Sequence, residues 1–380
     1  MRILITTDLF TVITNGVVTS VKNLYDELKN RGHDVRILTL SESGHSYIEG
    51  DVTYIRSMPL PVYPDVRMPT SYHHKLIKEL INWNPEVIHS QCEFFTYQFA
   101  LYISKHTKAP IIHTYHTLYE QYATYVIPSK RLGVYAVKTF SRRRLKGSKR
   151  VIVPTKKIKN TLLDYNVNSP ISIVPSGIDL SRHGVKLSAK ERSSMRESHG
   201  VHSDDFLIIY LGRLGNEKNL DEVIRFFAKA EATYPKIRLM IVGGGPAMDH
   251  LKKTAEENCP GDKIIFAGMV NPVDVPKYYQ LGDLFVSAST SETQGLTYIE
   301  ACANGLPLLC RKDDALYGVA IEGENGYTYE TEEEFLLYLG KIIGDPDWRV
   351  IAAKKSIEIA ESYSKESFAK TVEEIYKENI

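Results

Sequence analysis

Two separate series of short apolar runs, each leading through a polar or glycine-bearing loop into an amphipathic stretch, constrain this chain more than any other feature. The first series opens with R-I-L-I-T-T at residues 2–7 and passes a loop holding Asn15-Gly16. A helix over 18–31, stopped by Gly32, then leads to a second run, D-V-R-I-L-T-L at 34–40. Apolar runs without alternation belong to strands covered on both faces, and strands separated by helices assemble into a parallel sheet. The pattern predicts further strands at 52–55, 86–89, 110–113, 150–153 and 171–174, with helices over 71–82, 94–107, 131–146 and 156–164. After a polar region at 183–204 it begins again, with strands at 206–211, 237–242, 263–267, 284–287 and 307–310. Helices fit 219–233, 246–258, 272–281, 296–304 and 332–343, and the stretch 348–380 is helical and mostly polar. A chain of 380 residues exceeds one ordinary core. Each half therefore reads as its own doubly wound sheet, whose ligands sit at the carboxyl ends of the strands.

Composition narrows the class. Cys92, Cys259, Cys302 and Cys310 are scattered with no C-x-x-C pair, so they read as buried small residues in a reducing compartment. The opening M-R-I-L-I-T-T-D-L-F is too short and polar for a secretory signal, and no uncharged apolar run approaches the ~18 residues of a membrane span. The net charge of +1 hides a split: residues 1–185 hold 24 Lys and Arg against 14 Asp and Glu. Such asymmetry suits an anionic surface facing the first half, or two soluble halves that attract each other.

The chemistry is expected on strand-to-helix loops. Leu211-Gly212-Arg213-Leu214-Gly215-Asn216-Glu217-Lys218-Asn219 joins a predicted strand to a helix. Its glycines admit a ligand to the backbone, and Arg213 and Lys218 offer a fork and a point charge to a diphosphate leaving group. In Ser291-Glu292-Thr293-Gln294-Gly295-Leu296-Thr297-Tyr298-Ile299-Glu300 a helix starts near Leu296, and its first N–H groups suit phosphate oxygens. Glu292 on the loop and Glu300 one turn into the helix can accept hydroxyl protons, although a carboxylate there is also ordinary dipole compensation. Gly243-Gly244-Gly245 lacks dinucleotide-fingerprint spacing and reads either as a tight nucleotide-admitting turn or as a plain connection. Met269 and Val270 lie at the next strand end, where backbone groups can read a base edge. In the first half His113-Thr114-Tyr115-His116 ends a strand, and His116 is the better placed of its histidines, with Gly16 on the first strand-to-helix loop. Asp345-Pro346-Asp347 has the letters of a metal motif but falls at a helix start and reads as a capping turn.

Taken together, these motifs resemble those of the retaining family 4 glycosyltransferases. E-T-Q-G-L-T-Y-I-E is similar to that family's E-x-F-G-x-x-x-x-E signature, with Gln294 at the Phe position. G-R-L-G-N-E-K-N-L resembles its G-R-l-x-x-e-K-g block, and P-S-G-I-D its P-N-G-I-D turn. The resemblance implies an α/β fold of two Rossmann-like domains facing across a cleft, the GT-B arrangement. The domains are expected at 1–180 and 181–363, with a closing helix at about 364–380 packed back on the first. It also implies roles. Arg213 and Lys218 hold the donor diphosphate, Glu292 binds donor-sugar hydroxyls and Glu300 binds the ribose. Gln294, Gly295, Leu296 and Thr297 meet phosphate or sugar, and Met269 and Val270 flank the base. Gly16 lets its loop approach the diphosphate, His116 contacts the sugar, and Asp179 is a weaker candidate. No metal and no cofactor beyond the UDP-sugar donor are implied.

A narrower similarity, to bacterial diacylglycerol glucosyltransferases, rests on T-S-E-T-Q-G-L-T-Y-I-E and on H-T-Y-H-T-L-Y-E-Q-Y followed by a basic helix. Residues 138–150, from Lys138 to Arg150, hold seven cations and no acid. Each is worth about 1 kcal/mol near an anionic leaflet. The similarity implies a hexosyltransferase moving glucose from UDP-glucose, or galactose from UDP-galactose, to diacylglycerol. It would be cytoplasmic and peripheral on the inner face of the membrane, with no nucleic-acid partner. Tyr115, Tyr119, Tyr122 and Tyr125 are expected to line a path for lipid. A family 4 enzyme with a small soluble acceptor, a nucleotide-sugar epimerase and a non-catalytic binding protein remain as rival readings.

Overall fold

The computed structural model describes residues 1–10, 16–60, 63–120 and 129–380. The chain forms two compact units, Met1–Gly177 with Lys365–Ile380, and Ile178–Ser364.

The first unit carries β1 (Arg2–Thr6), β2 (Asp34–Ser41), β3 (Tyr47–Glu49), β4 (Val52–Leu60), β5 (Tyr63–Pro69), β6 (Val87–Ser90), β7 (Ile111–Thr114), β8 (Arg150–Val153) and β9 (Ile171–Ile173). Their order is β3-β4-β2-β1-β6-β7-β8-β9, with β5 also paired to β4. All pairings are parallel except the short antiparallel ones that β3 and β5 make with β4. Neighbouring side chains of one strand enter opposite cores. Ile3 and Ile5 pack with Val21, Leu24 and Leu28 of the helix Gly16–Asn30, whereas Leu4 packs with Ile77, Leu80 and Phe99 on the other face. The helix Lys365–Asn379 completes the first of these cores with Phe368, Ala369, Val372, Ile375 and Tyr376.

The second unit carries β10 (Phe206–Leu211), β11 (Ile237–Val242), β12 (Ile264–Gly268), β13 (Leu284–Ser287), β14 (Leu308–Arg311) and β15 (Gly326–Tyr329). All are parallel, in the order β12-β11-β10-β13-β14-β15. Here too a continuous apolar run divides between two cores. Ile208 and Tyr210 face Phe227 and Leu251, while Leu207, Ile209 and Leu211 face Tyr298 and Ile299. Burying one such aliphatic side chain stabilises by about 1.5–3 kcal/mol, so covering both faces is what holds F-L-I-I-Y-L as a central strand. The closing helical stretch is two helices, Pro346–Glu361 and Lys365–Asn379, one in each unit. Asp345 caps the first of them, its Oδ1 accepting from Trp348 N at 2.8 Å.

Candidate active site

In the second unit the strand order reverses between β10 and β13, and a doubly wound sheet opens to its ligand at that point, beyond the carboxyl ends of the strands. Residues 212–219 leave β10 there and residues 288–295 leave β13, so Arg213, Lys218, Glu292 and Glu300 all arise from one sheet edge. Two bonds tie these loops together. Lys218 Nζ lies 2.5 Å from Glu292 Oε1, both side chains largely buried, and Ser291 Oγ donates to Glu217 O at 3.2 Å. Arg213 pairs with Glu217, and its side chain is 49% exposed.

The helix Leu296–Ala303 begins at Gly295, which is left-handed at φ 76°. A Cβ there would overlap the Tyr298 ring, so only glycine turns the chain tightly enough to start the helix at this edge. The first-turn N–H groups of a helix, here those that follow Gly295, have no intrahelical partner, and a helix start has the polarity to receive an anion. Gln294 is buried on this loop. Glu300 Oε2 accepts from Tyr279 Oη at 2.9 Å. Burial raises its carboxyl to about 7 against that bond and the charge of Arg182.

The triple-glycine turn has a cause inside the fold. A Cβ on Gly243 would fall inside the carbonyl oxygen of Gly212, and one on Gly245 would meet the backbone of Leu214. The two loops instead join backbone to backbone, Gly212 N to Val242 O at 3.0 Å and Leu214 N to Gly244 O at 2.9 Å. Met269 is 85% exposed with its side chain beside Gly244, and Val270 is partly buried against the core. Asp179 caps the helix Leu180–His183.

In the first unit the order reverses between β1 and β6. Gly16 starts its helix there, and Asn15 lies outside the described residues. The two candidate histidines separate. His113 is fully buried, with Nε2 3.0 Å from Glu93 Oε1, which makes it part of the interior. His116 is half-buried, with Nε2 2.7 Å from Gln91 Oε1. Burial pushes its pKa down to about 4, more than the nearby Glu93 carboxylate pulls it up, so its ring is neutral at pH 7. Glu93 also accepts from Tyr119.

Residues 14–182 match the family described as Glycosyltransferase Family 4, and residues 191–360 match Glycosyl transferases group 1. The chain is 31% identical to alpha-monoglucosyldiacylglycerol synthase of Streptococcus pneumoniae, across 100% of this chain and 86% of that protein. It is 30% identical to the protein of the same name from Acholeplasma laidlawii, across 100% and 98%. The chain belongs to glycosyltransferase family 4. Among solved structures, Anabaena HepE in complex with UDP and glucose aligns with a TM-score of 0.77 at 15% identity, across 100% of both chains. Sucrose-phosphate synthase from Thermosynechococcus elongatus aligns with a TM-score of 0.77 at 18% identity, across 99% of this chain and 98% of that one. At those identities the likeness concerns the fold, which is GT-B.

The basic helix of this glycosyltransferase spans Lys130–Leu145. Of the cations between Lys138 and Arg150, Lys138 stacks over Tyr165, Arg144 over Phe140, and Arg150 lies near Glu378. Arg142, Arg143, Lys146 and Lys149 are exposed, and so are Leu132 and Tyr135, at 64% and 70%. Tyr135, Ala136, Thr139, Phe140, Arg143 and Arg144 line a shallow groove of about 570 Å³. The expectation that Tyr115 lines a path for lipid is corrected. Its ring is fully buried and its hydroxyl lies 3.2 Å from Ser141 Oγ, so it anchors this helix from beneath. Tyr122 and Tyr125 lie outside the described residues. No helix among the described residues is long and apolar enough to cross a membrane.

Sequence reasoning passed over Gln91, Glu93, Tyr279 and Arg182. The first two sit directly after the apolar run V-I-H-S, and the reversal of strand order beside β6 is the signal that marks such a loop.

Proposed function

We propose that this family 4 glycosyltransferase moves a hexose, glucose, from a UDP-sugar to diacylglycerol at a membrane surface, retaining the configuration at the anomeric carbon. The observation that carries the reading is the pairing of Lys218 with Glu292 across the two loops of the second unit's switch point. That pair brings a cation and a hydroxyl acceptor to one place, beside the helix start at Gly295. On donor binding, Lys218 and Arg213 turn to the diphosphate, Glu292 takes sugar hydroxyls, and Glu300 takes the ribose. His116 of the first unit hydrogen-bonds the sugar.

As the bond from the anomeric carbon to the phosphate oxygen breaks, negative charge grows on the departing UDP, and the two cations stabilise it. The acceptor hydroxyl attacks the same face of the sugar and passes its proton to that departing phosphate oxygen. Diacylglycerol is favoured as acceptor by the two relatives named alpha-monoglucosyldiacylglycerol synthase, each aligned along the whole chain. Arg142, Arg143, Lys146 and Lys149, beside exposed Leu132 and Tyr135, suit docking on an anionic leaflet from the cytoplasmic side.

The test incubates the protein with UDP-glucose or UDP-galactose and vesicles of diacylglycerol in phosphatidylcholine, with and without phosphatidylglycerol. The expected product is α-glucosyldiacylglycerol, formed faster on the anionic vesicles. Arg213→Ala with Lys218→Ala should slow turnover at least about a hundredfold. Near-normal turnover of that variant removes the diphosphate clamp, and transfer only to soluble acceptors removes the lipid assignment.

A further inference from the structure

Gln91 opens the loop after β6, and its side chain is 2% exposed. Its Oε1 lies 2.7 Å from His116 Nε2. An amide oxygen only accepts, so Nε2 holds the proton of this pair. In a neutral imidazole the other nitrogen is then a lone pair, and no bond to His116 Nδ1 occurs among the described residues. Beside it the Gln91 amide nitrogen is buried with no hydrogen-bond partner among the described residues. A buried donor without an acceptor costs about 1–3 kcal/mol, and such groups persist where a ligand completes them. A lone pair on one side chain and an N–H on its neighbour together match a hydroxyl, which both donates and accepts.

We propose that Gln91 is a positioning residue that holds His116 in its Nε2–H tautomer, so that Nδ1 accepts a hydrogen bond from a hydroxyl of the transferred sugar. This rests on the reading that His116 meets the sugar. The tautomer matters because the alternative form offers the sugar an N–H in place of a lone pair, and a hydroxyl oriented for one is misaligned for the other. The titratable groups facing His116 are Glu93, from the same loop as Gln91, His113 on β7 and His89 on β6. Replacing the neutral Gln91 amide by a carboxylate adds an acceptor that favours the doubly protonated ring, which has no lone pair at all.

Two measurements on the full chain test this. Nitrogen-15 spectra of histidine-labelled protein, with His116 assigned by its loss in His116→Asn, should show the Nε2–H tautomer at pH 7. The Nδ1–H form would overturn the proposal without any variant having to fold. The second measurement is the pH dependence of kcat at saturating donor and acceptor. In the native protein kcat should hold level down to about pH 5. In Gln91→Glu its acid limb should rise by about one pH unit or more. Gln91→Leu should lower kcat about tenfold with little change in donor KM. Unchanged profiles in both variants reject the role of Gln91. If His116→Ala itself transfers sugar at the native rate, it is the sugar contact of His116 that fails.

Discussion

Glu300, proposed above to take the ribose, would tie donor binding to pH. Burial holds its carboxyl near 7, above its ordinary value, and ribose hydroxyls donate best to the ionised form. Affinity for uridine, which has no phosphate to titrate, should therefore be level above pH 7 and fall towards tenfold per unit below it. Glu300→Gln should bind uridine weakly at pH 8 and lose the dependence, as calorimetric titration at several pH values would show. The residues of this edge were readable because they are local. Arg213 and Lys218 share one loop, and Glu292 and Glu300 lie within one short segment about a loop glycine. Gln91, Tyr279 and Arg182 were not, because each acts on a residue far along the chain, and no spacing rule reports contacts such as Tyr279 with Glu300. His113 shows the same limit, since only the fold separates it, as an interior residue, from His116.

At the scale of the element, glycine turns hold the strand ends of the second unit together. Gly243 lies at φ 137° with its missing Cβ directed at the Gly212 carbonyl. Gly243→Ala should destabilise the protein by about 1–3 kcal/mol, by strain and overpacking, and weaken UDP binding. Gly344→Ala, with nothing within 4 Å of the added methyl, serves as the neutral control in thermal unfolding. Most strands followed from their apolar runs, and the α/β fold with them. β3, β5 and β15 did not. The first two are antiparallel additions to β4: β3 is only three residues long, and β5 lies in a stretch broken by Pro59, Pro61, Pro64 and Pro69, where prolines weaken a strand pattern. β15 is the four-residue edge strand G-Y-T-Y, too short for its alternation to stand out.

At the scale of the whole molecule, the helix Lys365–Asn379 returns the chain to the first unit after the second is complete. Its Tyr376 hydroxyl lies 2.5 Å from His89 Nδ1 inside that core. Its Glu373 carboxylate meets Lys377 at 2.6 Å and Arg31 at 2.5 Å, and these cations hold its pKa down to about 2. A carboxylate depressed in the folded state stabilises above its unfolded value, near 4.5, and that contribution disappears as pH falls through the folded value. Glu373→Gln should therefore be less stable than the native protein at pH 7, by about 1–3 kcal/mol, because it removes hydrogen bonds to charged partners. The difference should shrink between pH 4.5 and 2 in denaturant titrations that follow the first unit.

That returning helix also orders events during synthesis. Domains tend to fold as units, the earlier one first, as the chain leaves the ribosome. Here residues 1–177 emerge with one face of their sheet still missing Phe368, Val372 and Tyr376, and every residue of 178–364 must be translated before those side chains arrive. The second unit is thus the first able to close, and for that interval a nascent first unit presents an oily face that chaperones can bind.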